Sequence, residues 1–454
     1  MTATDVVSLL KAKFAAIESA INADQDFQIS ASKISSLAFA VTSSEANGAV
    51  IFSIQKGVVR VHEGAASDAS FTLSARPRDW TLFFEERPPR PHQSYWGILR
   101  TFGDQEGVGI SGDVAAFGRN ARLWRIALDR ARDAQNGVET KSIEEIPREE
   151  LDELDEEDSI VGRYTWVDLP VWGRSKIFYE TAGSGAQDLL LLHTAGADSR
   201  QNHSLMNNKQ LRERCTMYAF DLPGHGRSLP GSKQLPQGYA NSEEPYVAAI
   251  AQIIRRLRLR SPIVSGASMA GHVCLALAMR AKEIGVGGVI PLEGCEHIPF
   301  TQPSYELAGD LNEAVINPER VCGMIAPTAP EYYKRLIWWI YSSQGVDIFA
   351  GDLKFYFHGW NGKGRLESID TKECPVYMLT GEYDYSCTAE MSAETARKIP
   401  GAMFEEMKGL GHFPATEDPV AFLPYFTKAL DFVMAERRKH NLNGVNGVNG
   451  TNGH

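Results

Sequence analysis

The chain has 454 residues, 43% of them hydrophobic and 23% charged, a balance that excludes a fibre or a disordered chain and is long enough for two folded units. Its formal net charge of -11 belongs mostly to one stretch, EEIPREELDELDEED from Glu144 to Asp158, which holds ten acids and one arginine and leaves the rest close to neutral. No basic footprint remains for nucleic acid, no apolar run is long enough for membrane insertion, and the six cysteines, without a C-x-x-C pair, read as reduced thiols, so a cytoplasmic location is expected.

The opening stretch TATDVVSLLKAKFAAIESAI has the period of an amphipathic helix capped by Thr4, and lacks the basic start, apolar run and cleavage site of a secretory leader. Alternating runs at Leu37 to Thr42, Ala49 to Ile54, Val58 to His62 and Ser70 to Ala75 read as a strand meander. A helix near Asp79 to Glu86, a closing strand in GVGISGD and the helix DVAAFGRNARLWRIALDRA complete an α+β domain over residues 1–133. The element order, the turn around Gly57, the SFTLSARPRDW stretch and the ISGDVAAF run resemble the sterol-carrier-protein-2-like domain over roughly residues 10–132. That resemblance implies a hydrophobic tunnel for a lipid-like ligand; a packing or dimerisation module is the competing reading, which leaves a homodimer open. Residues 134–161 are polar and acidic and read as a linker.

From 162 to 438 strands alternate with helices. The expected strands are Tyr164 to Leu169, Lys176 to Thr181, Leu189 to Leu192, Met217 to Phe220, Pro262 to Val264, Val289 to Leu292, Val376 to Leu379 and Met403 to Met407. Helical stretches such as YVAAIAQIIRRLRL between them predict an eight-stranded, mostly parallel, doubly wound α/β sheet covered on both faces. The Asn/Gly-rich tail, residues 439–454, cannot bury apolar surface and is expected to be disordered.

The string PIVSGASMAGHVCLALAMRA ends a buried strand, turns at Gly266, Ser268 and Ala270-Gly271, and opens a helix, which is the context of a nucleophile elbow. Small residues two positions either side of Ser268 suit a strained turn whose backbones approach closely; Ala270 stands where a second glycine is usual. A serine hydroxyl is too weak an acid to attack alone, so an imidazole must take its proton and a carboxylate must hold that imidazole. VYMLTGEYDYSC places Asp384 after one late strand, and MKGLGHFPATEDP places His412 after the next, in the order Ser, Asp, His. Glu293, in VIPLEGCEH at the end of the strand after the elbow helix, is the alternative acid.

LLLLHTAGADSRQ runs a hydrophobic strand into a small-residue loop, and Asp221-Leu222-Pro223-Gly224-His225-Gly226-Arg227-Ser228 follows the strand MYAF. The second string matches the D-x-P-G-x-G-x-S signature of α/β-hydrolases, and with the elbow and the GHFP loop it makes residues 162–436 resemble that superfamily. The resemblance implies an oxyanion hole from the backbone N–H groups of Met269 and of Ala195 or Thr194, with His193 and His225 as structural loop residues. It also implies a cap in the long insertion at about residues 294–372, whose aromatic residues, among them Trp338, Trp339, Phe355 and Trp360, would line a pocket for a bulky apolar substrate. Some members, including fungal lactonases of resorcylic macrolactones, carry their acid where Glu293 stands.

No P-loop, dinucleotide fingerprint or paired histidine ligands are present, so no metal or organic cofactor is implied. The expected activity is cofactor-independent hydrolysis of an ester or lactone in a hydrophobic small molecule, such as a polyketide-like or aromatic secondary metabolite. Esterases, lactonases and carbon–carbon hydrolases of 1,3-dicarbonyl or vinylogous substrates share these motifs. A non-hydrolytic ligand-binding protein is the alternative outside enzymology.

Overall fold

The computed structural model describes residues 4–44, 48–139, 158–234, 238–300 and 312–448, with side chains to residue 440. Most of the acidic linker and residues 301–311 of the insertion lie outside these. The chain divides into two compact units, one of Met1–Glu145 with Thr301–Trp338, the other of Ile146–Phe300 with Trp339–His454.

In the first unit the opening helix Val6–Leu10 is capped by Asp5, whose carboxylate accepts from the Ser8 N–H, and not by Thr4. Asp at that position reaches the third N–H of the helix directly, which a residue one step earlier cannot. Strands β1 (Ser36–Ser43), β2 (Ala49–Gln55), β3 (Val58–Gly64), β4 (Phe71–Ala75) and β5 (Gly109–Gly112) form a sheet in the order β3-β2-β1-β4-β5. The first three meander, but β4 returns parallel to β1 and does not continue beyond β3. Register explains what this gains: Phe39 sits opposite both Phe52 and Phe71, and the three rings stack at 4.7 and 5.7 Å across the middle of the sheet. The helix Ala121–Asn136 closes this core and stops at Gly137, whose φ of 72° supplies the left-handed cap.

The helix Glu313–Cys322 and the first part of Glu331–Ser342 pack into this unit through ions. Glu319, almost fully buried, lies 2.6 Å from the Arg125 guanidinium and accepts from the Trp338 indole N–H, while Arg335 pairs with Asp26 at 2.9 Å. The cavity beside these pairs, about 570 Å³, is lined by Arg122, Arg130, Asp129, Asp133, Glu331 and Lys334 among others. An ionic lining of this kind is not the apolar tunnel that a lipid-like ligand requires.

The second unit is built on an eight-stranded sheet, β6 (Val161–Leu169), β7 (Gly173–Ala182), β8 (Gln187–Leu192), β9 (Cys215–Phe220), β10 (Ile263–Ala267), β11 (Gly288–Leu292), β12 (Tyr377–Gly381) and β13 (Met403–Met407). The order is β13-β12-β11-β10-β8-β9-β7-β6, with β6 and β7 antiparallel and β8 to β13 parallel, as the run of apolar segments predicts. Alternate residues feed two cores: Leu190, Leu192 and Val264 face the helices Glu243–Leu257 and Met269–Met279, whereas Leu189, Leu191 and Ile263 face the helix Pro419–Val448.

That last helix corrects the expectation of a tail without structure from residue 439, since its backbone is helical to Val448. Phe422, Phe426, Ala429, Leu430 and Val433 bury one face and supply the costly nucleus, after which each further residue adds a hydrogen bond. Among the described residues no helix is long and apolar enough to cross a membrane, and all six cysteines are free.

Candidate active site

Strand polarity gathers the motifs, because β8, β9, β10, β11, β12 and β13 all run the same way and release their loops at one edge of the sheet. Ser268 follows β10 directly and takes φ 64° and ψ −120°, a conformation that a non-glycine residue holds only when its surroundings impose it. Its N–H donates to the Leu292 carbonyl at 3.0 Å and its carbonyl accepts from His272, so the turn is stitched to β11 on one side and to its own helix on the other.

Small residues are required for the reason the motif suggests. A Cβ on Gly266 would come within 2.5 Å of the Ala270 methyl and 2.9 Å of Leu192, and one on Gly271 would lie 2.1 Å from the Leu292 carbonyl oxygen. Ala270 is therefore accommodated because Gly266 has no side chain, and Gly271 carries the closest helix–strand approach. Gly271→Ala should cost about 1–3 kcal/mol or more through overpacking against backbone that cannot yield, read as a lowered urea midpoint; an unchanged midpoint would show that this approach can relax.

Asp384 and His412 meet. The imidazole Nδ1 lies 2.7 Å from Asp384 Oδ2, and both side chains are buried. The other carboxylate oxygen, Oδ1, accepts the N–H groups of Ser386 at 2.7 Å and Cys387 at 3.2 Å, which fixes the carboxylate in its loop. The His412 loop is held by Glu417, which accepts from the N–H groups of both Gly411 and Phe413 and so brackets the histidine. Nothing in the sequence marks Glu417: a carboxylate five residues after a loop histidine has no periodic signature.

Glu293 sits elsewhere, with both carboxyl oxygens within 3.1 Å of the Gly381 N–H and a side-chain hydrogen bond to Asp384. Burial, and next the charge of Asp384, push its carboxyl well above the usual range, so it keeps its proton and donates it to Asp384. The sign of the pH effect follows. Below the unfolded value near 4.5 both states are protonated; as pH rises from there through the folded value only the unfolded chain ionises, and stability falls. Glu293→Gln keeps both hydrogen bonds without an ionisable group, so the difference in stability between variant and wild type should grow with pH above about 4.5. Parallel stability curves across that range would exclude a protonated Glu293.

The loop after β8 is fixed by side chains. His193 Nε2 accepts the Leu222 N–H at 3.1 Å, which places its proton on Nδ1, 2.8 Å from the Thr194 carbonyl. Burial, reinforced by the charge of His225, lowers its pKa to about 4, in keeping with a neutral structural ring. The Thr194 N–H donates to Gln201 Oε1 at 2.9 Å, and the Thr194 hydroxyl is 2.5 Å from that of Tyr341. Thr194 is thereby committed, and Ala195, which precedes Gly196 in the same turn, is not. Asp221 ties its own turn, accepting from Ser199 and Arg227 backbone at 2.8 Å each.

Trp338, Trp339, Phe355 and Trp360, the rings expected to line a pocket, separate. Trp338 belongs to the first unit, with Arg122 over its ring at 4.0 Å. Trp339 is half-exposed beneath Arg200. Phe355 and Trp360 are core residues, packed on Tyr246 and His272, and the Trp360 indole N–H donates to the Cys295 carbonyl at 2.7 Å. Tyr341 and Phe349 reach the loop after β8, with Phe413 against Tyr341. Helical order in a dense aromatic run does not reveal which rings turn inward.

Residues 189–424 match the alpha/beta hydrolase family, a span of just over half the chain. The chain is 26% identical over 250 residues to the magnesium-chelatase 30 kDa subunit of Rhodobacter capsulatus, an alignment covering 51% of this chain and 83% of that one. Among solved structures it is similar to a thermophilic esterase from Thermogutta terrifontis, with a TM-score of 0.50, 20% identity and coverage of 60% of this chain and 99% of that one, which is a likeness of fold. On the extent of the family match, together with the parallel sheet and the turn after β10, the chain belongs to the alpha/beta hydrolase family.

Proposed function

We propose that the protein is a serine hydrolase that cleaves an ester or lactone bond in a hydrophobic small molecule, of polyketide-like or aromatic type. The observation that carries the reading is the buried 2.7 Å bond between His412 and Asp384, at the same sheet edge as a serine held at φ 64° in a strand-to-helix turn. Asp384 keeps the proton of His412 on Nδ1, leaving Nε2 to accept the hydroxyl proton of Ser268. The serine oxygen adds to the substrate carbonyl, and the oxyanion is held by the N–H groups of Met269 and Ala195. Collapse expels the alcohol, which takes the proton back from His412. Water then repeats the sequence on the acyl-serine and releases the acid. Tyr341, Phe349 and Phe413 favour an apolar, aromatic substrate beside the loop after β8.

The test is covalent labelling with a fluorophosphonate, located by peptide mass spectrometry, alongside a panel of aryl esters, macrolactones and 1,3-diketones. Label on Ser268 with ester or lactone turnover is the expected result. Turnover of the diketones alone would move the reaction to carbon–carbon cleavage, and tight ligand binding with neither label nor turnover would make this a binding protein.

A further inference from the structure

Asp352 belongs to the insertion, in the helix Ile348–Lys354, yet its carboxylate is fully buried and no step of the proposed reaction uses it. Such a group is costly unless every lone pair is occupied. Here four donors reach it: the Gly196 N–H at 2.9 Å and His225 Nε2 at 2.8 Å on Oδ2, the Tyr239 hydroxyl at 2.8 Å and Asn241 Nδ2 at 3.3 Å on Oδ1. The donors come from three separate segments, the loop after β8, the D-x-P-G-x-G-x-S turn and the stretch before the helix Glu243–Leu257.

The Gly196 contact gives the arrangement its direction. Ala195 lies between two residues whose N–H groups are each taken by a side chain, Thr194 by Gln201 and Gly196 by Asp352. Among the described residues no acceptor takes the N–H of Ala195 itself. Gly196 is also clamped sterically: it has φ 60°, and a Cβ there would meet Phe349, four residues after Gly345 and three before Asp352, at 2.4 Å. Asn241, a donor to Asp352, also contacts the sulfur of Met269 at 3.6 Å, so the same network reaches Met269 and Gly196, the neighbour of Ala195.

We infer that Asp352 is a positioning residue, which aims the Ala195 N–H at the oxyanion by holding the Gly196 N–H on one side while Gln201 holds that of Thr194 on the other. This rests on the serine hydrolase reading. It also gives the insertion a part in the chemistry, since the loop after β8 is shaped by a carboxylate that the insertion supplies.

The experiment compares full-length wild type with Asp352→Asn, using a p-nitrophenyl ester for kcat and KM and an aryl trifluoromethyl ketone, whose serine adduct carries an oxyanion, for inhibition. Losing the aim of one oxyanion donor should lower kcat by about 10²–10³-fold with KM within about three-fold, and weaken the ketone by a similar factor. Equal losses in ketone affinity and kcat/KM distinguish this from a purely structural role, which would lower the amount of active protein and leave the ketone's affinity for the remainder unchanged. Unchanged kcat and ketone affinity in a folded Asp352→Asn protein would overturn the inference. If that variant does not fold, Tyr239→Phe removes one of the four donors: a several-fold lower kcat at constant KM supports the proposal and an unchanged kcat refutes it. A wild type that neither labels with fluorophosphonate nor turns over esters would instead sink the hydrolase reading itself.

Discussion

Ser268→Ala is expected to abolish turnover of an activated ester by several orders of magnitude while leaving the fold intact. Among the described residues the Ser268 hydroxyl makes no hydrogen bond that supports the turn; the turn is held by its backbone N–H to Leu292 and its carbonyl to His272, and alanine retains both. What disappears is the proposed nucleophile, and only about 10³–10⁴-fold catalysis over water should survive from substrate positioning and the oxyanion donors. Steady-state kinetics with a p-nitrophenyl ester, beside a thermal unfolding curve, checks both halves of the expectation. A variant retaining wild-type kcat would show that another group attacks.

Asp384→Asn should reduce kcat by about 10⁴-fold, because an amide in place of the carboxylate presents a donor to Nδ1 or forces the wrong tautomer, and cannot stabilise the imidazolium that forms. The protein should remain folded, since the amide oxygen can still accept from Ser386 and Cys387. Glu293→Gln is the paired control on the same sheet edge. Its side chain bonds to Gly381 and Asp384 and makes no bond to His412, so the loss should stay within about ten-fold. The reverse ranking, with Glu293→Gln the more damaging in kcat, would transfer the acid's role to Glu293 and require that the His412 ring turn toward it. Measuring kcat for the two variants against pH between 5 and 9 separates the cases.

Two carboxyl groups so close cannot both ionise cheaply, and their division of labour follows from their partners. Asp384 is engaged by two backbone N–H groups and the His412 imidazole. Glu293 has one backbone N–H shared between its oxygens and lies fully buried, so it is the member that keeps the proton.

The strands of both sheets were readable because they are encoded locally, by alternation in β1 to β3 and by short unbroken apolar runs in β8 to β12. The elbow was readable for the same reason: Gly266, Ser268, Ala270 and Gly271 stand within six residues, and the strain of the turn dictates their size. The D-x-P-G-x-G-x-S string is likewise contiguous. Local pattern misleads where it competes with long-range pairing. β4 looks like the next strand of a meander, but opposite Phe39 it buries Phe71 against a ring from a strand 32 residues earlier, and no local feature of either segment records that. The tail beyond residue 438 is compositionally poor in helix formers, yet it continues a helix nucleated by Phe422, Phe426 and Val433.

Residue identity alone was enough to specify a parallel α/β sheet, a strained serine at its edge, and an imidazole and two carboxyl groups on neighbouring loops, since each of these is written in a short contiguous stretch. Which carboxyl bonds the imidazole, which N–H after β8 is left uncommitted, and which rings of the insertion turn toward that loop were settled only by three-dimensional packing. Asp352 and Tyr341 do this work from positions 156 and 147 residues from the groups they hold. The reason is physical: a hydrogen bond between distant segments depends on where the sheet brings two loops together, and neither partner carries a trace of it in its own neighbourhood.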